Sequence, residues 1–157
     1  MAIDVFLKIP EIKGESQDDH HKDEIAVMSW SWGMSQTGGA VATGMGTGKV
    51  ALSDLNFMHV FDKSSPALMT YCATGKHLKE ATITVRKSGE VQQEFLIIKM
   101  NDVLITSVQD SGSNEVPSES VSLQFAKVDV QYTPQKPDGT PDVAVHFKYD
   151  LKLNKQA

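Results

Sequence analysis

The chain has 157 residues, of which 40% are hydrophobic and 22% are charged, and its formal net charge is −5. A chain of this length buries enough apolar surface to fold without disulfides or metals, so we expect one domain over residues 1–157. The acidic balance and the lack of a basic cluster argue against nucleic acid as a partner. No run of about 18 apolar residues occurs, so no membrane-inserted helix is expected.

Export by a cleaved leader is not expected either. The segment Met1–Lys8 lacks the basic and long apolar regions of a Sec signal peptide. The one cysteine, Cys72, excludes an internal disulfide and suits a reducing cytoplasm. If the protein leaves the cell, another route must export it.

Alternating hydrophobicity predicts strands along most of the chain. Residues 3–9 and 143–153 place apolar side chains at every second position, which indicates half-buried strands. The predicted strands are residues 3–9, 24–33, 49–61, 81–87, 91–100, 103–109, 120–132 and 143–153. Ser88-Gly89 marks a hairpin turn. Short strands without intervening helices favour an all-β antiparallel barrel or sandwich.

The segment 120–132 changes phase half-way along. Val121, Leu123 and Phe125 set one alternation, and Val128 begins the opposite one. Either a bulge re-aims the strand or the strand passes from one environment to another. Such a bend is typical of a barrel or a strongly curved sheet.

One short helix is predicted near the middle of the chain. Ser64 or Ser65 can cap it, and Pro66 suits its first position. Gly75 suits a left-handed C-terminal cap. Cys72 lies within this helix, and we interpret it as core packing and not as a nucleophile.

The Gly-rich loop before Gly48-Lys49 does not meet the requirements of a phosphate-binding loop. Such a loop needs a glycine five positions before the Gly-Lys pair and a Ser or Thr after it, where this chain has Thr43 and Val50. The next predicted element is a strand, so no helix N-terminus is available to bind phosphate. We interpret the loop as a surface contact arm and predict no cofactor.

Acidic and histidine side chains cluster in Asp18-Asp19-His20-His21 and Asp23-Glu24. The other histidines are scattered and show no helical His-x-x-x-His pairing, so we interpret this segment as a solvated loop without a metal site. No Gly-x-Ser-x-Gly elbow is present. We therefore predict no catalytic residues and a protein that is not an enzyme, with a small hydrolase as an alternative only if a suitable base exists.

The segment Ser29–Gly33 alternates serine with tryptophan. Trp30 and Trp32 share one face of the predicted strand, and Ser29 and Ser31 share the other. We interpret both indoles as core anchors, with a carbohydrate-stacking surface as the alternative. The side of the strand that carries the serines must then face solvent, a cavity or a neighbouring subunit.

A series of short motifs runs in order along the whole chain. They are Met1–Ile9, Gly14-Glu15-Ser16, His21 with Glu24-Ile25, Ser29–Gly33, Gly48-Lys49-Val50, Asp62–Pro66 with Gly75-Lys76-His77, Arg86–Gly89, Glu119–Val121 and Tyr132–Gln135. In this order they resemble the haemolysin-coregulated protein family of bacterial type VI secretion.

The resemblance implies a β-barrel with a flanking helix that forms a hexameric ring. Rings of this family stack into a hollow tube, which a contractile sheath ejects behind a spike protein and which carries small effector proteins in its lumen. The implied location is the cytoplasm before firing and the extracellular space or a target cell afterwards. No extension follows Ala157, so a fused toxin domain is not expected.

The resemblance also implies roles for particular residues. Ser31, together with Ser29, is expected to face the lumen and contact cargo. The Gly-rich loop is expected to reach a neighbouring subunit or a stacked ring. The loop residues concerned are Gly39, Val41, Gly44 and Met45.

Apolar residues on both sides of several strands agree with a ring. Val27 and Met28, and likewise Ile97 and Ile98, place apolar bulk on both faces. A monomer with a solvated outer surface would expose it. Head-to-tail contacts between identical subunits close into rings, and contacts between ring faces generate tubes.

Overall fold

The computed structural model describes residues 2–36, 50–89 and 92–157, and much of this part of the chain forms antiparallel strands. The strands are β1 (Ile3–Lys8), β2 (Ile25–Ala26), β3 (Ser29–Ser31), β4 (Met34–Gln36), β5 (Val50–Leu52), β6 (Leu55–Val60), β7 (Leu78–Lys87), β8 (Gln93–Ser111), β9 (Ser118–Tyr132), β10 (Val145–Asp150) and β11 (Lys155–Gln156). Within these ranges there is one helix, α1 (Ser64–Thr74). The predicted fold class, mostly antiparallel β with one short helix, is confirmed.

The long hairpin of β8 and β9 is the centre of the fold. β8 has 19 residues, and its pairing with β9 runs from Leu96 opposite Tyr132 to Ser111 opposite Ser118. β6 and β3 extend the end of the hairpin near its connecting loop. β7, β1, β10 and β11 extend the other end. The two halves of the molecule therefore share one hairpin.

A bend divides the two halves of this hairpin. Asp102 adopts a φ of 56°, in the left-handed region that Asp tolerates better than most residues. On β8, Met100 and Val103 are both buried although they are three residues apart. On β9, the same holds for Phe125 and Val128. The predicted phase change of residues 120–132 is therefore real, and it marks the passage of the strand from one environment to another.

One short segment bridges the two edges of the curled sheet and gives it a barrel-like shape. β2 pairs with β1, and the Val27 N–H donates to the Val5 carbonyl at 2.9 Å. The next N–H, of Met28, donates to the Met58 carbonyl at 2.8 Å, after which β3 pairs with β6. The predicted single strand 24–33 therefore breaks in two, because the chain leaves β1 and joins β6. In the described residues, the segment 25–31 links the sheet edge at β1 to the sheet edge at β6. No continuous ladder of paired strands closes the sheet there.

The C-terminal strand is shorter and more exposed than alternation predicts. The predicted strand 143–153 is reduced to β10, because the Leu153 N–H donates to Asp150 Oδ1 at 3.1 Å and Asn154 has a φ of 52°. These contacts turn the chain back into β11. The side chains of Val143 and Val145 are 79% and 58% exposed, so the described part of the chain leaves the start of this apolar side uncovered.

The ends of α1 confirm one predicted cap and correct the other. Gly75 has a φ of 67° and donates its N–H to the Tyr71 carbonyl at 3.0 Å, as predicted for the C-terminal cap. The predicted serine cap is wrong, because the helix already begins at Ser64. Asp62 Oδ1 accepts the Ser64 N–H at 2.8 Å instead. Leu68 is buried, and Cys72 packs against the core as interpreted from the sequence.

A close backbone approach fixes the start of the polar loop that follows β1. The Gly14 N–H donates to the Asp23 carbonyl at 2.8 Å. A Cβ atom at position 14 would lie 2.5 Å from the Glu24 carbonyl oxygen and 2.8 Å from the Ile25 Cα. Both are backbone atoms, so a side chain at this position forces the two segments apart.

We therefore expect Gly14→Ala to lower the free energy of unfolding by about 1–3 kcal/mol, the usual cost of overpacking. Urea denaturation followed by far-UV circular dichroism measures this. Gly33→Ala is the matched control, because a Cβ atom there has Ser53 Oγ 4.0 Å away. Equal losses in the two variants would contradict the steric explanation.

Candidate functional site

The outward side of four neighbouring strands carries uncharged side chains, most of which are short. The cross-strand rows are Ser29, Met58, Ser120 and Gln109; Ser31, Asn56, Ser122 and Ser107; and Val60, Ser118 and Ser111. None of these ladder positions on β3, β6, β9 and β8 holds a formally charged residue, and we call this surface the uncharged face. Because paired strands lie about 4.8 Å apart, the four strands span roughly 15 Å.

Hydrogen bonds between side chains order part of this face. The Ser122 hydroxyl donates to the Asn56 side-chain oxygen across the β6–β9 pair. At the edge, the Thr106 hydroxyl donates to Asp54 Oδ2 at 2.7 Å. The first contact fixes the orientation of the Asn56 amide, whose NH₂ group stays available as a donor.

Ser29 and Ser31 both lie on the uncharged face. Side chains alternate along β3, and both serines are exposed on its outward side. Trp30 between them points to the other side, where it lies opposite Phe57 and packs against the core. Trp32 also packs on the core, with its ring centroid 5.9 Å from that of Phe125. The indoles are therefore core anchors, as interpreted from the sequence, and do not form a stacking platform. The role of the serines towards cargo stays a prediction.

The other half of the sheet has a different outward surface. A row across β1, β7, β8, β9 and β10 consists of Lys8, Thr82, Lys99, Asp129 and Lys148. Polar contacts continue this pattern: Lys99 Nζ forms an ion pair with Glu80 at 3.7 Å, and His146 Nδ1 lies within hydrogen-bond distance of Asp129, at 2.9 Å. Charge is therefore segregated along one curved sheet.

Near β10, the core-facing side of the sheet carries apolar side chains that extend beyond the buried core. On the core-facing side, Val145 lies opposite Tyr132, and Tyr132 lies opposite Leu96. Tyr132 is 47% exposed and Val145 is 58% exposed. We call this surface the apolar edge, which consists of Leu96, Val130, Tyr132, Val145, Phe147 and Tyr149. No described segment of the chain covers Tyr132 and Val145.

The acidic and histidine-containing segment 18–24 is held against the sheet by side-chain contacts. Arg86, almost fully buried, donates to both carboxylate oxygens of Asp18 at 2.7 and 2.9 Å and to Asp4 at 3.1 Å. Its guanidinium lies 4.9 Å from the Phe6 ring centroid. The His21 ring stacks on the same phenyl ring at 4.4 Å. These contacts hold the loop over β1.

The two nitrogens of His21 are also engaged. Nδ1 lies 2.9 Å from Glu24 and Nε2 lies 2.7 Å from Glu94. In residues 2–36, 50–89 and 92–157, no three His, Cys, Asp or Glu side chains gather in a way that could hold a metal ion. The absence of a metal site remains a prediction.

A second buried polar pair lies beneath the start of α1. His59 Nε2 is 2.7 Å from Glu119 Oε1, and both side chains are buried. Burial alone favours the neutral imidazole, but Asp62 and Glu119 outweigh it and raise the pKa of His59. Burial, together with the neighbouring carboxyl group of Asp110, raises the pKa of the Glu119 carboxyl. The pair links β6 to β9. Both side chains are shielded from solvent, so the pair is not an open site that a substrate could reach.

The remaining predicted site residues are Gly39, Val41, Gly44 and Met45, and they lie outside the described residues. The sequence analysis also missed most of the uncharged face. A signal was available, because Ser118, Ser120 and Ser122 alternate with Glu119 and Val121. Only the strand pairing shows that these serines lie beside β6 and β3.

The fold and these surfaces define a class of protein: a curled antiparallel β protein with one flanking helix, distinguished by an uncharged face and an uncovered apolar edge. No helix in the described ranges is long and apolar enough to cross a bilayer.

Comparison with known proteins identifies the family. A family model described as "Type VI secretion system effector, Hcp" matches residues 6–132. "Protein hcp1" of Pseudomonas aeruginosa is 47% identical over 162 aligned positions, which cover 100% of both chains. The crystal structure of Hcp1 from Salmonella typhimurium is 38% identical, with a TM-score of 0.84 over 100% of both chains. A type VI secretion system effector from Yersinia pestis is 36% identical, with a TM-score of 0.78 over 94% of this chain and 99% of that chain.

The chain therefore belongs to the Hcp family of type VI secretion system effectors. This confirms the family that the sequence motifs indicate. It also makes the chain a member of a family of secreted proteins.

The tie between Arg86 and Asp18 predicts a pH dependence of stability. The hydrogen bonds from Arg86 hold the pKa of the Asp18 carboxyl well below its usual range. A carboxyl whose pKa is lowered by folding stabilises the protein above its unfolded pKa, and this contribution is lost as the pH falls through the folded value.

We therefore expect Asp18→Asn to be less stable than the wild type at neutral pH, with a difference that shrinks below about pH 4. Urea denaturation at a series of pH values measures it. Asp19→Asn is the control, because Asp19 is an exposed neighbour without a hydrogen bond to Arg86 in the described structure. A difference that is constant down to acid pH would contradict the assignment.

Proposed function

We propose that the chain is the subunit of the type VI secretion inner tube. Six copies close into a ring, rings stack into a hollow tube, and the tube is ejected by a contractile sheath behind a spike protein. The chain resides in the cytoplasm before firing and then reaches the extracellular space or a target cell. In the lumen, the rings carry small effector proteins.

The apolar edge is the observation that carries this proposal. Its side chains continue the core-facing side of β8, β9 and β10 beyond the point where the described part of the chain covers them. Burying apolar surface stabilises association by about 25 cal/mol for each Å². A second copy that covers Tyr132 and Val145 with a different part of its surface makes a head-to-tail contact. Such contacts close into a ring when the rotation between copies closes.

The uncharged face supports the orientation of the subunit in the ring. A channel that passes many different cargo proteins must not bind one sign of charge strongly, because close charge pairs slow dissociation. The Ser29 and Ser31 rows meet this requirement, whereas the row of Lys8, Lys99 and Lys148 does not. We therefore assign the uncharged face to the lumen and the charged half to the outside.

The assembly is tested by placing a charge on the apolar edge. We expect Val145→Asp to convert ring-shaped particles into single chains, because an unpaired carboxylate at a dry interface costs several kcal/mol, on the order of 3–5. Light scattering gives the particle mass, and negative-stain electron microscopy gives its shape.

The matched control is Val116→Asp, since Val116 is 70% exposed in the loop between β8 and β9. This variant should still form rings. A wild-type protein that stays a monodisperse monomer at high concentration would overturn the tube proposal.

Cargo carriage is tested at Ser31. We expect Ser31→Gln to leave the rings intact and to reduce the amount of effector that co-purifies with them, because the larger side chain narrows the lumen. Ser113→Gln makes the same exchange in the exposed β8–β9 loop and should retain the effector. Unchanged recovery with Ser31→Gln would count against the lumen orientation.

A further inference from the structure

Met58 is an apolar side chain in the middle of a polar surface. It is 39% exposed on β6, with Ser29 of β3 on one side and Ser120 of β9 on the other. Both neighbours are short, so the longer thioether chain extends beyond them. Two residues further along the same side of β6, Val60 is 44% exposed.

Two further exposed apolar residues lie near the end of this strand. Met28 is 61% exposed, and its N–H donates to the Met58 carbonyl. Phe61 is 38% exposed and lines a shallow cavity of about 320 Å³ together with Met28 and Val60, and the carboxylates of Glu15 and Asp62 also line this cavity, away from the serine rows. We call Met58 and Val60 the apolar ridge, which lies beside the serine rows of the uncharged face.

The chemistry of the ridge and its neighbours defines what can bind there. A charged group pressed against the serine rows loses water without gaining an opposite charge, which is unfavourable. An apolar group buried on Met58 gains the hydrophobic contribution, and the flexible thioether can adapt to partners of different shape. Serine hydroxyls beside the ridge can donate to or accept from the partner's polar groups.

We propose that the apolar ridge, through Met58, is the element of the uncharged face that holds cargo, and that it selects protein segments carrying apolar and uncharged polar side chains. This inference rests on the proposed function, in which the face lines the lumen. It adds the chemical class of the partner and the residue that anchors it. Binding of this kind depends weakly on salt, because no ion pair contributes.

Short dye-labelled peptides test the class of partner. One peptide alternates Leu with Gln, and two matched peptides replace Gln by Lys or by Glu. Binding to wild-type rings is followed by fluorescence anisotropy at salt concentrations of about 50 and 500 mM. We expect the neutral peptide to bind at least about fivefold more tightly than either charged peptide, with less than about a twofold change between the two salt concentrations.

Variants of Met58 test the anchor. Met58→Gln, which keeps the length but adds a polar amide, should weaken binding of the neutral peptide by about tenfold. Met58→Leu should restore binding, and Met34→Gln, an exposed methionine on β4, should not affect it. Circular dichroism and particle mass confirm that each variant folds and assembles.

The outcomes separate this inference from the proposed function. Rings that form and retain effector, but whose peptide binding is unaffected by Met58→Gln, would overturn the anchor alone. Equal binding of the charged peptides, or no binding of any peptide, would overturn the partner class. If Met58→Gln abolishes stacking of rings and leaves peptide affinity unchanged, the ridge belongs to a contact between rings and the inference is wrong. Absence of rings in the wild type would instead reject the proposed function.

Discussion

The pairing of β8 with β9 is the constraint on which the rest of the structure depends. Almost every other long strand is hydrogen-bonded to one of these two, so their register decides which side chains point inwards across the whole sheet. Because side chains alternate with a period of two, a slip of one residue would exchange the core side with the outward side. The bend at Asp102 changes the phase of both strands together, and so allows one hairpin to serve two differently oriented halves. An extra residue of β8 between Ile105 and Ser107 then changes the phase of that strand alone.

The two halves differ most in what they place on the outside. Around β3 and β6 the outward rows consist of serine, amide and a few apolar side chains, whereas around β1 and β10 they carry lysines paired with carboxylates. A charged surface stays hydrated, and an uncharged one can be approached closely without a large desolvation cost. One curved sheet thus presents a hydrated charged surface and a neutral surface, and this difference supports the proposed tube subunit.

Buried polar side chains hold loops and strands in place and do not form an open reactive site. Arg86 joins Asp18 and Asp4 over Phe6, and His59 joins Glu119 beneath the start of α1. Each pair connects segments that are far apart in sequence and so holds them together. Removing one partner of such a pair leaves a buried group without compensation, which is why these residues are sensitive positions although they lie away from the uncharged face.

Local patterns were enough to predict the class of fold, the helix near Gly75, the side of β3 on which Ser29 and Ser31 lie, and the family. Each depends on neighbours in sequence: a period of two, a glycine with positive φ, or a series of short motifs. Only the tertiary structure showed that 24–33 is divided, that Asn56 and Ser122 lie beside Ser31, and that Val145 is uncovered. These features depend on which strands pair and where the core ends, and alternation along one strand contains no information about its partner. The serines of β3 therefore became part of a surface only when the pairing placed β6, β9 and β8 beside them.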